Sequence, residues 1–228
     1  MDNANRTIIS RRSRPAKEPL SREIIVRTAL ELLRQEGAEG LSMRRIAKAL
    51  DTGASSLYVY VTNLQELNAY VLDYGLAQVQ LPDPSEGHWS DNLFEAMYAY
   101  VEVLLETPGI AALAMSTMPQ GPHSLGLTEY VLARLHEGGI RSAAAAWGAD
   151  MLLLYASSVA YEQASRDQQG TTIQSLTAAY QSLDAKQYPM LTAMREEFLA
   201  GGQPDNDRDR FRWGLDVIMQ GLLKQQTV

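Results

Sequence analysis

A chain of 228 residues with 46% hydrophobic side chains has room for a small domain beside a larger one with its own core. It has no cysteine, which rules out a disulfide framework, a thiol nucleophile and a Cys-based zinc site. The net charge of −7 would argue against nucleic acid, but it is unevenly spread. Residues 1–62 hold 11 basic against 7 acidic side chains, leaving 9 basic against 20 acidic in the remainder. A basic end can meet phosphates while an acidic end stays in solvent.

Residues 1–19 are polar, carry Arg6, Arg11, Arg12, Arg14 and Lys17, and contain Pro15 and Pro19. They read as a disordered basic arm. No apolar stretch follows the arginines as a signal peptide would need, and no uninterrupted apolar run approaches the ~18 residues of a membrane span. A reducing cytoplasm is the expected compartment. Ser21 is placed to cap a first helix that buries Ile25, Ala29, Leu32 and Leu33 and ends near Gly37. Ser42 caps a second, on which Met43, Ile46, Ala47 and Leu50 form one apolar stripe. Asp51, Thr52 and Gly53 break it.

The third helix points Ala54, Leu57 and Val61 inward. Thr52, Ser55, Ser56 and Val59 face away, flanked by Tyr58 and Tyr60. A short helix that exposes hydroxyls and aromatic tips suits an element entering a DNA major groove; the same corner also serves simple packing. Arg44 and Arg45, at the start of the second helix, are candidate phosphate contacts.

Asn63 is placed to cap a fourth helix running to about Gln80, where LPDPSEG marks a boundary. Helical patterns follow at about 89–105, from Pro108, at about 123–136, from a Ser142 cap to about Arg166, at 172–182, at 188–199 and at about 206–224. DNDRDR at 205–210 reads as a helix start with local ion pairs. No period-2 run calls for a sheet, so the fold class is all-α. His88, His123 and His136 are scattered near helix ends, none paired with another ligand at helical spacing. HExxH, Walker, GxGxxG and GxSxG patterns are absent, so neither an enzyme nor a cofactor or metal is expected.

LSREIIVRTALELLRQEGAEGLSMRRIAKAL followed by SSLYVYVTNLQELNAYVLDY resembles the N-terminal domain of the tetracycline-repressor (TetR) family. The resemblance spans about residues 20–80. A weaker similarity to the effector domain continues through WSDNLFEAMYAYVEVLLETPGIAALAMSTMP, with Trp89, Leu104-Leu105 and Pro119. It implies a helix-turn-helix DNA-binding domain over 20–80, with helix 4 as linker, and an effector-binding and dimerisation domain over 81–228. The implied function is a transcriptional regulator, expected to be a repressor released from a double-stranded DNA operator by a small apolar or amphipathic ligand. The resemblance puts Arg44, Tyr58 and Tyr60 on the DNA side. It also puts Met97, Tyr100, Met115, Met118, Tyr130, Trp147, Met151 and Tyr155 on helices lining a ligand cavity, with Thr117 offering a hydroxyl. Methionines and aromatics suit an adaptable pocket and serve equally as core.

The chain departs from the family pattern in several places. Leu64 stands where a lysine commonly grips a phosphate, Asp51 replaces a turn glycine, and Thr52-Gly53 and Val61 are also altered. Ala114 falls where the tetracycline repressor has a metal-ligating histidine, so magnesium–tetracycline binding is not carried over. These departures keep open a helical ligand-binding or protein-interaction module that has lost specific DNA binding. A two-fold homodimer is expected, because two reading heads must sit one DNA turn apart. Phe211, Leu215, Ile218 and Leu222 on the last helix offer it a stripe, with helix 142–166 as partner. The same stripe would otherwise close the monomer core.

Overall fold

The computed structural model describes residues 18–107, 109–170, 173–200 and 207–225, and among these every regular element is helical. The basic arm therefore lies outside the described residues except for its last two positions. Helix α1, Arg22–Glu36, starts where Ser21 Oγ accepts the Ile24 N–H at 3.2 Å and stops at Gly37. A short 3-10 turn, Ala38–Gly40, leads to α2, Met43–Ala49, capped by Ser42 through the Arg45 N–H. Helix α3 is one turn, Ala54–Leu57; the chain then continues as turns to Val61, whose N–H still bonds Leu57 O at 3.1 Å. Leu57 and Val61 are fully buried, so the inward stripe survives although the helix is shorter than its sequence pattern.

Helix α4 runs Leu64–Leu76, four residues short of the expected Gln80. Its end tightens: the N–H groups of Ala77, Gln78 and Val79 bond carbonyls three residues back, ahead of Pro82. At the other end Asn63 Oδ1 accepts the Glu66 N–H at 2.8 Å and Glu66 reaches back to the Thr62 N–H at 2.5 Å. Hydrogen bonds from Thr62, that from its backbone foremost, and from Tyr70 hold the Glu66 carboxyl below the usual carboxylate range.

The second half contains α5 (Trp89–Glu106), α6 (Ile110–Ser116), α7 (Pro122–Glu137), α8 (Ser142–Gln169), α9 (Ile173–Gln181), α10 (Pro189–Ala193), α11 (Arg195–Ala200) and α12 (Asp207–Lys224). Three expectations need correction here. Ser142 is the first residue of α8 rather than its cap, which falls at Arg141, and the helix continues past Arg166 to a left-handed Gly170. The single helix expected at 188–199 breaks at Met194 into α10 and α11. Among the described residues, the arginines at the start of α12 form their ion pairs with other helices: Arg208 with Glu95, Arg210 with Glu162 and Arg212 with Asp91.

Helix α8 is the hub, packed against α5, α6, α7 and α12. By length and composition alone Ser142–Gln168 is apolar enough to cross a membrane, but one face of it lies in this bundle. The apolar core is continuous from the head into the bundle. At Gly75 of α4 a Cβ would overlap Ile110 Cδ1 of α6, so the Ile110 side chain packs directly on the α4 backbone. Gly109, at φ 85°, opens α6 where a Cβ would come within 2.8 Å of Leu33 Cδ1 in α1. The connection between α4 and α5 is pinned, with Arg134 Nη1 donating to Pro84 O and Asn92 Nδ2 to Glu86 O.

Candidate DNA-reading head and effector pocket

The reading head is small and nearly unsupported on its outer side. Ser55, Tyr58 and Val59 are exposed, and Thr52, Ser56 and Tyr60 are half-buried. Asp51, at φ 49°, adopts the left-handed turn geometry that Asp tolerates, which is how this chain dispenses with a turn glycine. Leu64 packs against the core, so the position where the resemblance implied a phosphate-gripping lysine contributes apolar contact here.

The two arginines of α2 part company. Arg44 is exposed. Arg45 is drawn back, with Nη2 2.5 Å from Glu36 Oε2 and Nη1 donating to Gly40 O at 3.2 Å. In this DNA-free structure it braces α2 against the end of α1. A brace that the sequence pattern did not reveal is Arg22, whose Nε donates to Tyr60 O at 3.3 Å while its guanidinium lies over the Tyr70 ring at 4.8 Å. Tyr70 in turn donates to Glu66 Oε1 at 2.9 Å. The end of the recognition segment is thereby fixed to α1 and α4 together.

A cavity of about 160 Å³ lies where five helices meet. Leu72 and Leu76 of α4, Tyr100 of α5, Ala114 of α6, and Ser124, Leu127 and Thr128 of α7 line it. Thr117, Pro119 and the Asp150, Leu153, Leu154 and Ser157 side of α8 complete it. The walls are mainly aliphatic with several hydroxyls. Tyr100 and Ser157 share a buried hydroxyl–hydroxyl bond of 2.9 Å, and burial pushes the Tyr100 phenol up despite that bond.

Of the nine residues expected at a ligand, the structure brings Tyr100 and Thr117 to this cavity, while Met115 of α6 is 41% exposed. Met97 is fully buried in the core beside it, and Met118 is 72% exposed in the loop after α6. Tyr130 lies under the Arg134 guanidinium, on the side of α7 that meets the Pro84 loop. Trp147, 79% exposed, and Met151 stand on the outer face of α8. Tyr155 stacks on Phe211 at 5.4 Å with nearly parallel rings. The reason is the makeup of α8: it carries apolar side chains around its circumference, so spacing could not separate a pocket wall from an outer stripe. The cavity residues missed, Leu72, Leu76, Ser124, Leu127, Thr128, Asp150, Leu153, Leu154 and Ser157, are aliphatic or small polar residues without a chemical signature.

The expected dimer stripe is likewise displaced. Phe211, Leu215 and Leu222 are buried within the monomer and Ile218 is half-buried. Tyr155 fits against Gly214, where a Cβ would overlap its hydroxyl. The exposed apolar residues of α12 are Trp213, Val217 and Leu223, those of α8 Trp147, Met151, Leu154 and Tyr161. His88 caps α5, its Nδ1 accepting the Ser90 N–H.

A helix-turn-helix head continuous with a helical bundle that holds a cavity has the architecture of a two-domain DNA-binding regulator. The chain belongs to the TetR family of transcriptional regulators. Residues 25–67 match the family described as bacterial regulatory proteins, tetR family, and residues 81–226 match the tetracyclin repressor-like C-terminal domain. An HTH-type transcriptional regulator of Saccharopolyspora erythraea is 33% identical over 90% of this chain and 86% of its own. The HTH-type transcriptional repressor DrrR1 of Streptomyces coeruleorubidus is 29% identical over 93% and 80%. Among solved structures, apo ActR of Streptomyces coelicolor superposes with a TM-score of 0.79 at 35% identity, covering 92% of this chain and 97% of ActR. ActR in complex with actinorhodin superposes at 0.77 and 36% identity, over 90% and 96%. These relatives are transcriptional regulators, not enzymes, and the rival in which the fold serves only ligand or protein binding is not favoured.

Proposed function

We propose that the chain is a repressor that binds operator DNA through α2 and α3 and releases it when a small apolar or amphipathic ligand occupies the cavity between α4, α5, α6, α7 and α8. One observation carries this: Leu72 and Leu76 of the cavity wall belong to the helix that begins two residues after the reading head. A ligand there touches the head's own lever. The size of the cavity gives the direction of the effect. Drug-sized ligands occupy about 300–1,000 Å³, well above the 160 Å³ present. A ligand that parts the walls has different affinities for the two arrangements, which is the requirement for shifting them. The complex of ActR with actinorhodin supports the same division of labour.

At the DNA, Arg44 and Tyr58 serve backbone phosphates, with Tyr60 beside them, while Thr52, Ser55 and Ser56 face base edges. Arg45 joins them only by giving up Glu36. Two heads are set at operator spacing by a homodimer formed through the outer faces of α8 and α12, where Trp147, Met151, Trp213 and Val217 are exposed. The protein works in the cytoplasm, with its DNA.

The test is a salt-titrated binding assay with a duplex covering the DNA upstream of its own gene. Affinity should fall steeply with salt and be lost with Arg44→Ala combined with Tyr58→Phe. A flat salt response with the double variant unchanged would reject the reading head.

A further inference from the structure

Helix α7 lacks the usual provisions at its start. Its N-cap is Gly121, which offers no side chain, and its first turn carries no acidic residue. Its N–H groups find their acceptor on another helix. Asp73 of α4, 7% exposed, accepts the Ser124 N–H at 2.8 Å and the Ser124 hydroxyl at 3.0 Å, both on Oδ1. Ser124 is itself 3% exposed. A carboxylate at such depth is costly unless it is hydrogen-bonded and compensated, and the positive end of a 16-residue helix does both. Gly121 makes the room: a Cβ there would overlap the Asp73 carboxyl group, although its φ of −88° would suit any residue.

The tie is adjacent to the cavity. Leu72, next to Asp73, and Ser124 itself are both wall residues, and Thr128 one turn on donates to Ser124 O. On the reading that this cavity takes the effector, we infer that Asp73 is a positioning residue for DNA release. Its carboxylate, seated on the first turn of α7, holds α4 in the DNA-competent register and is pulled off when a ligand parts the two helices. The energy that keeps an unliganded protein on its operator is then concentrated in one polar contact among aliphatic ones. Parting two apolar faces is gradual, whereas a buried carboxylate is either seated or not.

The experiment uses the full chain with Asp73→Ala, Asp73→Asn, Gly121→Ala and the double variant Asp73→Ala/Gly121→Ala, with helicity monitored by circular dichroism. Asp73→Ala and Gly121→Ala should each weaken binding to the upstream duplex by roughly 5–150-fold, the usual span of allosteric coupling. Asp73→Asn keeps an acceptor oxygen and should stay close to wild type. The double variant should be no worse than Asp73→Ala alone, because the added methyl then has no carboxylate to displace. Two sites acting independently would instead give additive losses, and additivity overturns the proposal, as does wild-type affinity in both single variants. Hydrogen exchange reads the tie without DNA: Asp73→Ala should raise exchange in residues 69–76 and 123–125 and leave α1 unchanged. Unchanged exchange in 69–76 also overturns it. Should exchange rise as expected while the wild-type protein shows no salt-dependent DNA binding, the repressor reading fails and the contact between α4 and α7 stands.

Discussion

The reading head and the effector bundle are built to opposite plans. The head is a single helical turn with Leu57 as its fully buried anchor, and its outward side chains are held by little beyond their own backbone. The bundle surrounds a 28-residue helix with four others and closes on a cavity in which Tyr100 and Ser157 already pair with each other. A surface that must fit a rigid duplex keeps its groups free; a pocket that must open for a ligand keeps them engaged until the ligand arrives. The arrangement puts the low-stability element at the DNA and the bistable element inside.

The most severe way to break this contrast is to remove the anchor of the head. Leu57→Ala should cost about 2–5 kcal/mol, the range for a fully buried leucine, and abolish DNA binding. Chemical denaturation followed by circular dichroism should show the loss falling on the head, with bundle helicity retained. Next comes filling the cavity: Ala114→Trp should wedge α6 from α4 and weaken DNA binding 5–150-fold without touching the head. A Trp variant with wild-type affinity, checked by fluorescence anisotropy, would show that the cavity and the head are uncoupled.

Changes on the recognition surface should be smaller and selective. Ser55→Ala should shift base preference by about 1–3 kcal/mol where a base contact is lost, whereas Tyr58→Phe should weaken all sequences alike. Binding to a panel of single-substitution operators separates the two patterns. Smaller still is a pH effect at the start of α4. Because the Glu66 carboxyl is held below its ordinary range in the fold, its contribution is present above the unfolded pKa and is lost as pH falls through the lower folded value. Thermal melts of Glu66→Gln should therefore differ from wild type at neutral pH and converge in acid. Smallest is Glu36→Gln. Its partner is half-exposed, so the pair is worth about 0–1 kcal/mol. Freeing Arg45 should leave stability unchanged and raise DNA affinity slightly at low salt.

Much of the head was legible because its signals are local. Ser21, Ser42 and Asn63 cap the helices their spacing marked, and the apolar stripe of α2 is buried except for a half-covered Leu50. The bundle was legible in its helices, apart from the break at Met194 that splits one expected helix into α10 and α11, but not in their faces. Trp147 and Met151 turn outward while Leu153 turns to the cavity, a difference set by which neighbours α8 meets and not by its own pattern. Phe211, Leu215 and Leu222 went inward because Tyr155 and the α5 aromatics Phe94 and Tyr98 were there to receive Phe211. Asp73 was invisible for the same reason: its partner is 51 residues away.

The central claim is that ligand and operator compete through α4, and reciprocity tests it most directly. A ligand that raises the melting temperature of the wild-type chain is titrated into free and operator-bound protein by isothermal calorimetry. The account predicts that operator weakens ligand binding by the same factor, roughly 5–150, by which the ligand weakens operator binding. Equal ligand affinity for free and operator-bound protein would contradict it.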